Sequence, residues 1–77
     1  MNVLSEEYRH PTQVTRVRLA VYQQPEGFLV TEERLGSAKV VGTLGLVGSQ
    51  EEAEALVRDR ASTLETQRYS RVDPSAS

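Results

Sequence analysis

From Val14 to Tyr22 polar and apolar residues alternate with period two. Val17, Leu19 and Val21 point one way, and Arg16, Arg18, Ala20 and Tyr22 point the other. That pattern predicts a strand with one buried and one solvated face. Gln23 to Gly27 reads as a turn, since Pro25 presets its own φ and Gly27 tolerates a positive one. A second strand, Phe28 to Arg34, returns as a hairpin, with Phe28, Val30, Glu32 and Arg34 sharing a face under strict alternation. Gly36-Ser37 turns the chain again. A third strand runs from Lys39 to Val47 and carries Val40, Val41, Leu44, Leu46 and Val47. Gly42 and Gly45 interrupt it, which predicts a bend or bulge.

The period then changes. Ser49 and Glu52 match the Ser-x-x-Glu capping box, and Ala53, Leu56, Val57, Ala61 and Leu64 follow at helical spacing. A helix over roughly Gln50 to Gln67 is expected, acidic at its start and with Arg58, Arg60 and Arg68 towards its end. Arg68 to Val72 reads as a short closing strand. Residues 1–13 read as a flexible polar arm, in which Pro11 keeps His10 out of a helix. Residues 73–77 read as a disordered tail. The expected fold is α+β, with residues 14–72 forming a β-β-β-α(-β) domain. Its small antiparallel sheet has three to four strands, and one helix packs on one face. The expected core is Val17, Leu19, Val21, Phe28, Val30, Val40, Leu44, Leu46, Ala53, Leu56, Val57, Ala61 and Leu64.

At 77 residues there is room for one domain. A chain this short buries only about 60% of its unfolded surface, so its stability margin is thin. It has no cysteine, which removes disulfides and thiolate metal sites and suits a reducing cytoplasm. No apolar run is long enough to span a bilayer, and the first residues lack the pattern of a secretory signal. A soluble cytoplasmic protein with no membrane partner is expected. The net charge of −2 and a pI near 5.3 argue against general binding to nucleic acid, which favours a basic excess. Three Tyr, one Phe and no Trp leave little surface for stacking on bases.

Candidate chemistry is sparse. The single His10 stands in a polar segment beside proline, and the neighbours Glu32 and Glu33 point to opposite faces of a strand, which prevents a shared-proton pair. Glu51, Glu52 and Glu54 read as a solvated helix start, and no glycine cluster forms a phosphate loop. No enzyme activity, cofactor, metal or small-molecule substrate is expected. The polar candidates are arginines. Arg16 and Arg18 share a face, Lys39 opens the third strand, and Arg34 joins them only if the strand end twists or bulges. Such a cluster grips phosphates or carboxylates bidentately, or else it pairs with Glu32 and Glu33 as surface ion contacts. A second group, Arg58, Arg60, Arg68, Tyr69 and Arg71, surrounds the helix end.

The order of these segments resembles the WGR domain, a module known beside the catalytic domain of poly(ADP-ribose) polymerases. Gly27-Phe28-Leu29-Val30 is similar to the strand entering the family signature, and Arg34-Leu35-Gly36-Ser37 to the signature's second half. Gly48-Ser49-Gln50-Glu51-Glu52-Ala53 looks like the helix start, and Tyr69 falls at the Tyr of the family's closing Gly-Tyr pair. Glu32 and Glu33 stand where the signature has Trp and Gly, and Arg68 stands for the Gly before Tyr69. The resemblance implies a binding module associated with nucleic acid, with Arg16, Arg18, Arg34, Lys39, Arg68 and Tyr69 as its contact residues. The alternative is a protein-interaction module, as a homodimer, adaptor or inhibitor, that binds no nucleic acid.

Overall fold

The alternating segments form strands in the computed structural model, which describes residues 1–36 and 38–72. In chain order the elements are β1 (Asn2–Arg9), β2 (Arg16–Gln24), β3 (Gly27–Leu35), β4 (Lys39–Val47), α1 (Gln50–Thr66) and β5 (Ser70–Val72). They build one five-stranded sheet in the order β4-β3-β2-β1-β5, with every neighbouring pair antiparallel. The helix leaves β4 at one edge, crosses one face and delivers the chain to β5 at the other. The α+β class and the single helix on one face are as the sequence predicts.

The strand count differs, because residues 2–9 are β1 and not a flexible arm. Tyr8 is 2% exposed and opposes Val17 in the core, while Glu6 opposes Leu19 and Leu4 opposes Val21. Without β1 the β2 edge would be bare and Tyr8 would leave a hole. The expected disordered tail, residues 73–77, and Ser37 of the expected turn lie outside the described residues.

Register then sorts the side chains. Leu4, Glu6, Tyr8, Val17, Leu19, Val21, Phe28, Val30, Glu32 and Arg34 lie on the helix side of the sheet. Their apolar members meet Ala53, Val57, Ala61 and Leu64 of α1, with Leu56, Phe28 and Leu44 half-buried against the cluster. Two expected core residues, Val40 and Leu46, are instead 58% and 51% exposed. The cause is a bulge in β4. Val30 pairs with Gly45 and Thr31 with Thr43, so Leu44 is an extra residue and the parity of β4 flips across it. Leu46 therefore turns to the open face beside Leu29. Val40 stays on the helix side of the outer strand, opposite Arg34 rather than an apolar neighbour.

Two local devices fix the connections. Gly27 closes the β2–β3 hairpin at φ +142°, where a Cβ would run into the Val47 carbonyl. At the helix start, Ser49 Oγ accepts the Glu52 N–H at 3.2 Å, as the capping pattern predicts. At the helix end, the Tyr69 N–H donates to the Leu64 carbonyl at 2.9 Å and the Arg68 N–H to that of Glu65 at 3.0 Å. This is a Schellman ending, with Tyr69 packed in the same core as Leu64. Its left-handed position is held by Arg68 at φ 75°, where glycine is usual.

Candidate binding face

The sheet face away from the helix has no secondary-structure layer over it among the described residues. Its rows of opposed residues change character along the strands. The first row is Arg9, Arg16, Leu35 and Lys39, and the second is Glu7, Arg18, Glu33 and Val41. The third is small and polar, with Ser5, Ala20, Thr31 and Thr43. The last carries Asn2, Tyr22, Leu29 and Leu46. One end of the face is thus basic and the other largely apolar.

The basic end is built on two carboxylates. Glu7 bridges Arg9 at 3.4 Å and Arg16 at 3.7 Å, and Glu33 bridges Arg18 at 3.1 Å and Lys39 at 3.7 Å. Arg9 and Arg16 stand directly opposite each other, a repulsive pairing that Glu7 offsets. Burial separates the two signs. The carboxylate side chains are 23% and 9% exposed, whereas those of the four cations are 41% to 60% exposed. The carboxylates lie low and hold the cations in place, leaving cationic ends outermost. Four cations to two carboxylates give this face a positive excess in a chain whose net charge is −2. In the middle of the face the Thr31 hydroxyl is buried without a hydrogen-bond partner among the described residues.

Of the residues that the sequence nominates, the structure brings Arg16, Arg18 and Lys39 together and leaves three apart. Arg34 is on the helix side, opposite Val17, so no twist at the strand end carries it to the others. Its Nε donates to Glu32 at 3.2 Å. Glu32 also accepts from Arg60 of the helix, through Nε and, at 3.3 Å, through Nη2. Burial pushes the Glu32 carboxyl up, but the hydrogen bonds and charges of Arg60 and Arg34 outweigh it and hold the group below its ordinary value. The hydrogen bond to Glu32 likewise raises Arg60. Arg60 is therefore a helix-to-sheet tie rather than a complement to the helix dipole, and the last helical turn carries no basic residue. Arg68 is exposed in the turn before β5, two residues ahead of Ser70, and belongs to none of the paired rows. Tyr69 is 6% exposed, with its hydroxyl donating to Gln13 at 3.3 Å and its ring edge-on to His10, so it is a core residue without a contact surface.

Sequence reasoning misses Arg9, which belongs to the basic row. The signal is the alternation of Ser5, Glu7 and Arg9 with Leu4, Glu6 and Tyr8, in which Glu6 interrupts an otherwise apolar side. Glu6 accepts the Tyr8 hydroxyl at 2.8 Å and pairs with Arg71 at 3.8 Å. Burial, and then Glu6, push the Tyr8 phenol far above its ordinary value. These residues floor a groove of about 590 Å³ between β1 and α1, walled by Val57 and Ala61. Its central polar groups are paired with one another. Among the described residues no three His, Asp or Glu side chains are grouped to hold a metal. Nor, among these residues, is any helix long and apolar enough to cross a membrane.

The fold and this face define a small antiparallel α+β domain with a charged open sheet. No family model matches the chain, and no curated protein or solved structure matches it either.

Proposed function

We propose that the chain is a non-enzymatic, WGR-like binding module that meets the phosphates of a nucleic acid with the basic end of its open sheet face. The observation that carries this reading is the layering of that end. Arg9, Arg16, Arg18 and Lys39 project above the sunken Glu7 and Glu33. Preset cations lose less side-chain freedom on meeting a phosphate than free ones do. The WGR-like reading is supported by the helix ending. Arg68 takes a left-handed position where the family has Gly, and Tyr69 anchors the end as the family's Tyr would. Arg34, the residue shared with the family signature, serves Glu32 and the helix in this reading and makes no phosphate contact. A cysteine-free chain of this kind suits the cytoplasm.

The test is a titration of labelled duplex, nicked and single-stranded DNA and of RNA, followed by amide shifts and repeated across salt. Four phosphate contacts set an upper slope of roughly −3.6 in log K against log salt for duplex DNA. Arg16→Ala should reduce that slope by about one. Arg58→Ala, on the helix side, should leave it unchanged. If no amide moves with any of these nucleic acids at low salt, where surface charge acts most strongly, the reading is wrong. The second reading, a protein-interaction module without nucleic-acid binding, is favoured by one specific observation. Val40, Val41 and Leu46 are all more than half exposed on the outer strand β4.

A further inference from the structure

We propose that β4 pairs antiparallel with β4 of a second copy of this chain, joining two five-stranded sheets into one of ten strands. The inference concerns the edge of the sheet and stands whether or not the open face binds nucleic acid.

β4 is nine residues long and pairs only with β3, so the outer side of its backbone has no strand partner among the described residues. The opposite edge is closed in part by the three-residue β5. Sheet edges are usually blunted by charge, by proline or by brevity. From Val40 to Val47 this strand has neither charge nor proline. It also carries three of the five exposed large hydrophobic side chains of the described residues, Val40, Val41 and Leu46. Leu44, Val47 and the helix residue Leu56 beside Gly45 are only half-buried, so the core itself is incompletely covered at this edge.

What identifies a second copy as the occupant is the self-complementarity of the strand, and the bulge creates it. In a regular strand, a twofold through Thr43 would set Val41 against Gly45 and Val40 against Leu46. Leu44 is an extra residue, so positions beyond it shift by one. With Thr43 facing Thr43, Gly42 then faces Gly45, Val41 faces Leu46 and Val40 faces Val47. Each pair lies on one side of the sheet. Val41 and Leu46 are on the open face, and Val40, Gly42, Gly45 and Val47 are on the helix face. Every exposed apolar side chain of the edge meets an apolar partner, and the glycines meet each other at the centre. At the ends, Lys39 of one copy reaches Gly48 of the other, just before the acidic helix start at Glu51 and Glu52. This is an isologous contact, which closes with two copies. A single pair of strands places it among the smaller interfaces, below roughly 1,200 Å², so exchange at micromolar to millimolar concentration is expected.

Sedimentation of the wild-type chain from micromolar to millimolar concentration should show mass rising from one copy towards two. Val41→Lys, at an exposed position, should weaken association at least tenfold and leave the dilute thermal melt unmoved. Because the chain has no cysteine, thiol trapping reads the register directly. Thr43→Cys should cross-link with itself far faster than Ser62→Cys on the exposed helix side. A mixture of Val41→Cys and Leu46→Cys should give the mixed dimer over either homodimer. A chain that stays single at millimolar concentration, or a Thr43→Cys that cross-links no faster than Ser62→Cys, overturns the proposal. Neither outcome bears on the nucleic-acid titration, so the two readings fail separately.

Discussion

Replacing Glu32 tests whether an ion bridge ties the helix to the sheet. Its carboxylate receives Arg60 from α1 through two nitrogens and Arg34 from its own strand. The Glu32 side chain is 12% exposed, against 29% for Arg60 and 41% for Arg34. A hydrogen bond to a charged group contributes about 1.5–3 kcal/mol net. The more exposed Arg34 contact adds at most about 1 kcal/mol. Glu32→Met should therefore cost about 2–3 kcal/mol, and Arg60→Met about 1–2 kcal/mol because Arg34 still pairs the carboxylate that is left. The double variant leaves only Arg34 without its partner, a side chain already 41% exposed, and replacing a helix-to-sheet pair with apolar residues is often neutral. It should be at least as stable as either single variant, so the coupling should be at least about 2 kcal/mol. Urea melts of the four proteins at neutral pH measure this, provided the m-values agree. A coupling below about 0.3 kcal/mol, the level of independent sites, would refute the bridge. The acid limb gives a second reading. A carboxyl whose folded pKa is lowered contributes its full stability above the unfolded value, about 4.3, and loses it as pH falls through the folded value. Wild-type stability should thus fall more steeply below about pH 4.3 than that of Glu32→Met.

Five further substitutions probe the fold. Leu64 has no exposed surface and Leu56 is half-buried, so Leu64→Ala should cost about 3–5 kcal/mol and Leu56→Ala closer to 2, with equal losses in denaturant melts refuting the helix phase. Ser49→Ala should cost about 1 kcal/mol, and a loss under about 0.2 by the same melts would remove the cap's role. Arg68→Gly should stabilise by about 0.5–1 kcal/mol, because relief at φ 75° exceeds the extra unfolded-state entropy; a lower melting temperature would show that Arg68 has a compensating contact. Thr31→Val keeps the shape and removes a buried hydroxyl without a partner, so it should be neutral or stabilising, and a loss above about 1 kcal/mol in urea would mean that the hydroxyl is satisfied in solution.

Elements bounded by clear turn or cap signals were legible from residues alone. β4 matches its expected range of Lys39 to Val47, and the helix and its cap differ by a residue at most. β1 was illegible for a local reason. Glu6 occupies a core-facing site, because Tyr8 and Arg71 satisfy its carboxylate, and a charge there breaks the alternation that marks a strand. Composition cannot distinguish a carboxylate in water from one paired across the sheet. The same limit hides Glu32, whose partner Arg60 lies 28 residues away.

The bulge in β4 shows the limit most clearly. Gly42 and Gly45 announce that a bend is present, yet which residue is extra depends on how β3 lies against β4. That one residue, Leu44, decides that Leu46 faces outwards. A reading that carries strict alternation through the strand buries Leu46 and so loses the apolar edge. It also makes the strand look mismatched with itself. The candidate face is legible to the same degree. Arg16, Arg18 and Lys39 follow from parity within their own strands. Arg9 needs β1, and the exclusion of Arg34 needs its register with Val17. Binding surfaces on a sheet are assembled across strands, so the pairing register carries the information that no single segment holds.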